Sequence, residues 1–219
     1  YFKAPYARPV SETRVWDPND DTQNLADVVR NVQPTILIGT STVQGAFTRE
    51  VVTTMASQVE EPIIFPLSNP LTLTEAKPED IIRWTGGNAL VATGSPFSDV
   101  EFRGKTYPVA QCNNALIFPG LGLGVVSSQA ERVTTGMMDA AILELASSAQ
   151  VNKNNFRLLP EISMLMDVSK DIGVAVARQA MLEGVARKEG NGDIDVLVES
   201  KMWKPVYMPY KPLAVVNSK

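Results

Sequence analysis

Histidine is absent from the 219 residues, and cysteine occurs once, as Cys112. The first absence excludes from this chain all chemistry that needs an imidazole base or ligand, including His-containing triads, Cys–His dyads and His-bearing zinc sites. The second excludes an internal disulfide and fits a reducing compartment, so the cytoplasm is the expected location. No apolar run approaches the roughly 18–20 residues that cross a bilayer, and no membrane contact is expected. Tyr1-Phe2-Lys3-Ala4-Pro5 has neither the basic nor the apolar region of a signal peptide. A basic stripe is missing too: 20 basic residues face 24 acidic ones, for a net charge of −4. Nucleic acid is therefore not an expected partner. The glycine fingerprint that cradles a pyrophosphate is also lacking. Gly120-Leu121-Gly122-Leu123-Gly124 comes nearest, but Val125 and Ser127 stand where a glycine is required. The run also follows the strands instead of opening the first crossover, so close helix–sheet packing is its expected use.

What is present is ordinary for a globular protein, with 44% hydrophobic and 20% charged residues, and this places the chain outside the disordered and fibrous classes. Residues 1–23 are polar and irregular and carry no initiator Met. A helix is expected from Asn24, with Leu25, Val28, Val29 and Val32 at helical spacing and Gln33-Pro34 as its stop. Thr35-Ile36-Leu37-Ile38-Gly39 reads as a strand buried on both faces of a parallel sheet. Thr48 can cap a helix carrying Val51, Val52 and Met55. Pro62-Ile63-Ile64-Phe65 reads as a second buried strand, Pro78 as a first helical position, and Asn88 to Gly94 as a third strand. Alternating strands and helices with short connections make a βαβαβ unit, half of a doubly wound sheet. Helices are then expected over 134–149, over 168–183 with Gly184 as stop, and over 193–203. The tail has three prolines between Pro205 and Pro212 and cannot be a regular helix.

Ligands of open α/β sheets bind outside the carboxyl ends of the strands. Those ends carry Gly39-Thr40-Ser41, Ser68-Asn69 and Thr93-Gly94-Ser95, small polar residues without charge. Such a rim can hydrogen-bond a ligand; the same residues also make turns. Gln111, Asn113 and Asn114 place three amides at the start of an apolar run, where burial demands partners and where an amide offers donors and an acceptor together. Asp17, Asp20 and Asp21 lack the glycine and closing Glu of a calcium loop and read as a solvated turn. Cys112, with no histidine to activate it, reads as an inert thiol.

Five ordered blocks then resemble a known family: Ile36-Leu37-Ile38-Gly39-Thr40-Ser41, Gly45-Ala46-Phe47-Thr48, Pro66-Leu67-Ser68-Asn69-Pro70, Ala92-Thr93-Gly94-Ser95-Pro96-Phe97, and Ala110-Gln111-Cys112-Asn113-Asn114-Ala115-Leu116-Ile117-Phe118-Pro119-Gly120. Together they are similar to the cofactor-binding part of malic enzymes, especially the bacterial NAD-dependent type. The resemblance implies oxidative decarboxylation of (S)-malate to pyruvate and CO₂, with NAD reduced and Mg²⁺ or Mn²⁺ required. It carries Asn69 onto the dinucleotide and malate, and Asn113 and Asn114 onto malate and the nicotinamide end; Gly39, Ser41 and Ser68 of the same rim are expected at the cofactor. Malolactic enzymes share most of these blocks, and Ser95-Pro96-Phe97 sides with malic enzymes. A catalytically dead module that modulates a longer paralogue is the alternative from another class.

The expected fold is therefore α/β: a partial doubly wound, Rossmann-like parallel sheet lacking its first strands, followed by a helical C-terminal region. The expected divisions are residues 1–23 as an irregular opening, 24–130 as the second half of the NAD-binding unit, 131–203 as its C-terminal helices, and 204–219 as an extended tail. The family's tyrosine acid, lysine base and acidic metal triad match no residue here, so no catalytic residue and no metal ligand is assigned within the chain. By the resemblance it is a C-terminal portion of such an enzyme, inactive alone. An unpaired sheet edge further predicts association, as a homo-oligomer.

Overall fold

A computed structural model describes residues 4–16, 23–149, 157–187, 192–204 and 206–210. Asp17, Asp20, Asp21 and residues 211–219 of the tail lie outside the described residues. The opening segment holds one 3₁₀ turn, Ala4–Tyr6, and one short helix, α1 (Val10–Thr13).

Helix α2 (Leu25–Val32) begins in a capping box, in which the Asn24 side chain accepts from the Asp27 amide and Asp27 returns the bond. It ends at Gln33, whose φ of 53° is left-handed. Strand β1 (Ile36–Gly39) follows, then α3 (Arg49–Gln58) capped by Thr48, β2 (Ile63–Pro66), α4 (Pro78–Trp84) and β3 (Leu90–Thr93). The chain next folds a hairpin, β4 (Val100–Phe102) against β5 (Lys105–Tyr107). Its turn places Arg103 and Gly104 at φ 53° and 73°, the positive values that a tight two-residue turn requires. Strand β6 (Ala110–Gln111) then returns to the main sheet beside β3.

The sheet has the order β1-β2-β3-β6 and is parallel throughout. Leu37, Ile64 and Val91 stand in register across three strands and point into one core with Val29, Val52, Met55, Ile81 and Ile82. Strands in sequential order with right-handed crossovers put all their connecting helices on one face. The other face of β1 is correspondingly open: Ile36 is 50% exposed and Ile38 58%. This corrects the expectation of a strand buried on both faces. The apolar run is real, but only its alternate residue meets a helix layer.

Three longer helices follow: α5 (Phe118–Ser128), α6 (Thr135–Ser147) and α7 (Leu165–Leu182), with α8 (Ile194–Lys201) capped by Asp193. Met137 and Ala141 of α6 close a second core on Val168, Ile172, Val176 and Ala180 of α7. The glycine run lies inside α5 and its partner is α7. A Cβ on Gly120 would stand 2.6 Å from the Ile172 Cβ, and one on Gly124 2.6 Å from the Val176 Cβ, whereas Gly122 faces open space. The packing expected of these glycines is therefore helix on helix, not helix on sheet. No described helix is long and apolar enough to cross a membrane.

Candidate functional site

Parallel pairing sets the carboxyl ends of β1, β2, β3 and β6 along one edge, so residues far apart in sequence meet there. The organising group is Glu75, just after the 3₁₀ turn Leu71–Leu73, and it is fully buried. The Ser41 amide donates to its Oε1 at 2.8 Å and the Ser41 hydroxyl at 2.9 Å. The Ser68 hydroxyl donates to the same oxygen, and the Ser68 amide to Oε2 at 3.3 Å. Burial by itself pushes this carboxyl up; the bonds from Ser68 and Ser41 outweigh it and hold Glu75 below the ordinary carboxylate value. Gly39 makes the approach possible, because a Cβ there would lie 2.7 Å from the Glu75 Cδ and 2.7 Å from the Phe47 Cζ.

Bonds to neighbouring backbone complete the loop after β1. The Thr42 amide donates to the Ser68 Oγ at 2.9 Å, and the Val43 amide to the Ser41 Oγ at 3.1 Å. The Gly45 and Phe47 amides donate to the carbonyls of Thr74 and Glu75 at 3.2 and 3.0 Å. Three residues expected at the cofactor, Gly39, Ser41 and Ser68, thus surround Glu75. The two hydroxyls spend their protons on it and leave the loop's outer surface to the backbone.

Asn69 follows, exposed and oriented. Its Nδ2 donates to the Leu67 carbonyl at 3.2 Å, and its Oδ1 accepts from the Ser95 hydroxyl. Ser95 is itself anchored, its carbonyl accepting from the Thr93 hydroxyl at 2.9 Å. On the neighbouring strand the Cys112 amide donates to the Thr93 carbonyl at 2.8 Å. Asn113 comes next, and its Oδ1 accepts from the Ala115 amide at 2.9 Å, capping the turn Asn114–Leu116 that leads into α5. Among the described residues the Asn113 amide nitrogen and the exposed Asn114 side chain have no hydrogen-bond partner, so both remain available to a ligand. Cys112 is half-buried, and burial raises its thiol.

Beside the rim, Arg157 donates to both carboxylate oxygens of Asp99, at 3.1 and 2.9 Å, and to the Val109 carbonyl at 3.3 Å. This pair joins the segment before α7 to the hairpin end of the sheet. Sequence reasoning found neither Glu75 nor Arg157. No period or motif marks either residue, because each matters through partners distant in the chain. Among the described residues no group of three or more His, Cys, Asp or Glu could hold a metal ion. The side chains the rim presents outward, Asn69, Asn113 and Asn114, are neutral. They can orient a carboxamide or a carboxylate without cancelling its charge.

Residues 1–181 match the family described as "Malic enzyme, NAD binding domain". The chain is 49% identical over 214 residues to NAD-dependent malic enzyme 3 of Bacillus subtilis, covering 97% of this chain and 38% of that protein. It is 47% identical over 211 residues to the NAD-dependent malic enzyme of Photorhabdus laumondii, covering 96% of this chain and 37% of the relative. The chain thus spans less than two-fifths of the length of these curated relatives. Among solved structures it is similar to malic enzyme from Pyrococcus horikoshii, with a TM-score of 0.62 and 26% identity over 80% of this chain and 36% of that one. Entamoeba histolytica malic enzyme shares the fold, with a TM-score of 0.63 and 24% identity over 84% of this chain and 34% of that one.

Proposed function

This chain belongs to the malic enzyme family, as its NAD-binding domain, and from that premise we propose that it supplies the nicotinamide- and malate-facing rim of an oxidoreductase that decarboxylates (S)-malate to pyruvate and CO₂. The observation that carries the reading is the oriented Asn69 amide, set by Leu67 and Ser95 on the same sheet edge that carries Asn113, whose amide nitrogen has no partner among the described residues. NAD, when bound, supplies the hydride acceptor. The residues of this chain bind and orient.

Asn69 with the backbone of the loop after β1 takes the cofactor, and Asn113 and Asn114 take the malate carboxylate and the carboxamide end. Neutral amides suit this task. Malate must keep the negative charge that leaves as CO₂, and a hydride moves only between atoms held in near contact, so orientation is a large share of the work. The divalent ion expected of the family finds no cluster of ligands among the described residues. Among the described residues one side of β1 pairs with no strand, and Ile36 and Ile38 are exposed, which supports association with a further copy. A cytoplasmic setting accords with the single unpaired cysteine.

The test is malate-dependent NADH and pyruvate formation by the whole protein that contains this chain. Lactate as sole product, or no reaction at all, would overturn the reading.

A further inference from the structure

A carboxylate removed from water is costly unless a cation or several donors replace its hydration. Glu75 has the donors and no cation: among the described residues no arginine or lysine pairs with it. Its four donors come from two loops only, the one after β1 and the one after β2. Backbone also joins the two loops, through the Gly45 and Phe47 amides on the Thr74 and Glu75 carbonyls and the Thr42 amide on the Ser68 Oγ. Among the described residues, however, the Glu75 carboxylate is the one side chain that takes donors from both Ser41 and Ser68, and it holds the Ser68 Oγ as well.

We propose that Glu75 is a positioning residue for the cofactor rim: its carboxylate locks the loop after β1 to the loop after β2 and so fixes where the adjoining Asn69 presents its amide. The proposal rests on the reading of this rim as the edge that faces NAD and malate. The chemistry asks for a carboxylate and not its amide. Oε1 accepts from three donors and Oε2 from one, whereas a glutamine has one acceptor oxygen and an NH₂ that must itself donate. With its oxygen in the place of Oε1, the NH₂ would meet the Ser68 amide donor to donor, and the loop that carries Asn69 would have to shift. Gly39 belongs to the same device, since any side chain there would occupy the space of the Glu75 Cδ.

The test uses the whole protein with Glu75→Gln and Glu75→Asp, assayed well below the Tm of each variant. Glu75→Gln should raise KM for NAD by roughly 10–100-fold while kcat at saturating NAD falls by less than about fivefold, the pattern of lost binding geometry in a working site. Glu75→Asp keeps the charge and both acceptor oxygens and should raise KM for NAD by only about 2–10-fold. A residue that merely stabilises the fold would lower Tm and leave both constants within about twofold, and that result overturns the proposal. Should Glu75→Gln fail to fold, Glu75→Asp decides alone: an unchanged KM for NAD overturns it. A parent protein that neither binds NAD nor oxidises malate defeats the reading of the rim instead, before any variant is made.

Discussion

Gly94 lies so close to Leu67 that a Cβ on the glycine would stand 2.1 Å from the leucine carbonyl oxygen and 2.7 Å from the Asn69 amide nitrogen. The end of β3 and the loop after β2 are thus in contact through backbone, and the contact sets Asn69. Gly94→Ala should lower stability by about 1–3 kcal/mol, the usual cost of forcing atoms into a packed site. It should lower kcat/KM for malate as well, since the displaced loop carries the amide. Denaturant unfolding and steady-state kinetics check both, and a parental value in each would show that the loop yields without consequence.

Asn69→Ala and Asn113→Ala, each in the whole protein, should cut kcat/KM for malate by roughly 10–1,000-fold, equivalent to about 1.5–4 kcal/mol for one or two oriented hydrogen bonds at the transition state. Ser95→Ala leaves the Asn69 amide in place but unrestrained on its Oδ1 side, so its loss should be the smaller. Near-parental kinetics for both asparagine variants would remove them from the site.

Glu75 also predicts a response to acid. Its carboxyl is held below the ordinary value in the folded chain, despite burial, by the bonds from Ser68 and Ser41. A group depressed on folding contributes stability that is complete above its unfolded pKa and is lost as pH falls through the folded one. Tm should therefore hold from neutrality down to about pH 5 and fall below it, over the carboxylate range. In Glu75→Gln the acid limb should be shallower from a lower starting point. An identical limb in parent and variant would place the acid sensitivity elsewhere.

The three glycines of α5 separate packing from ligand binding. Gly120→Ala and Gly124→Ala force a methyl group into α7 and should each destabilise by about 1–3 kcal/mol. Gly122 faces open space within the helix, so Gly122→Ala should be neutral or stabilising by up to about 1 kcal/mol. None of the three should change affinity for NAD in the folded protein. A specific loss of NAD binding in Gly122→Ala would restore the run as a phosphate cradle.

Burial raises the Cys112 thiol above its ordinary value, so its thiolate is scarce near neutrality. Its modification by a disulfide reagent at about pH 7 should be slower than that of the same thiol in the unfolded chain. A rate in the folded chain equal to or above the unfolded one would mark an activated cysteine.

Much of this arrangement was legible without coordinates because it obeys short-range rules. Asn24, Thr48, Thr134 and Asp193 cap the helices that follow them. Gly184, at φ 66°, follows the last turn of α7. The small polar residues at the strand ends lie along one edge because parallel strands share a direction. The hairpin between β3 and β6 was legible in principle, since Arg103-Gly104 sits between two short β-prone runs. Strand β6 was not, since two residues carry no period.

By itself the sequence determined the alternation of helices and strands from α2 to β3, the caps that open those helices, and the asparagines at the strand ends. Each of these follows from a residue and its near neighbours. Tertiary structure alone decided the rest. Only the crossover hand makes Leu37 core and leaves Ile36 and Ile38 open. Only the meeting of α5 with α7 gives Gly120 and Gly124 their purpose. Glu75 reads as one more acidic residue in a polar stretch until two loops bring it four donors. A carboxylate can be buried only where such donors converge, and convergence of residues distant in the chain is a property of the fold.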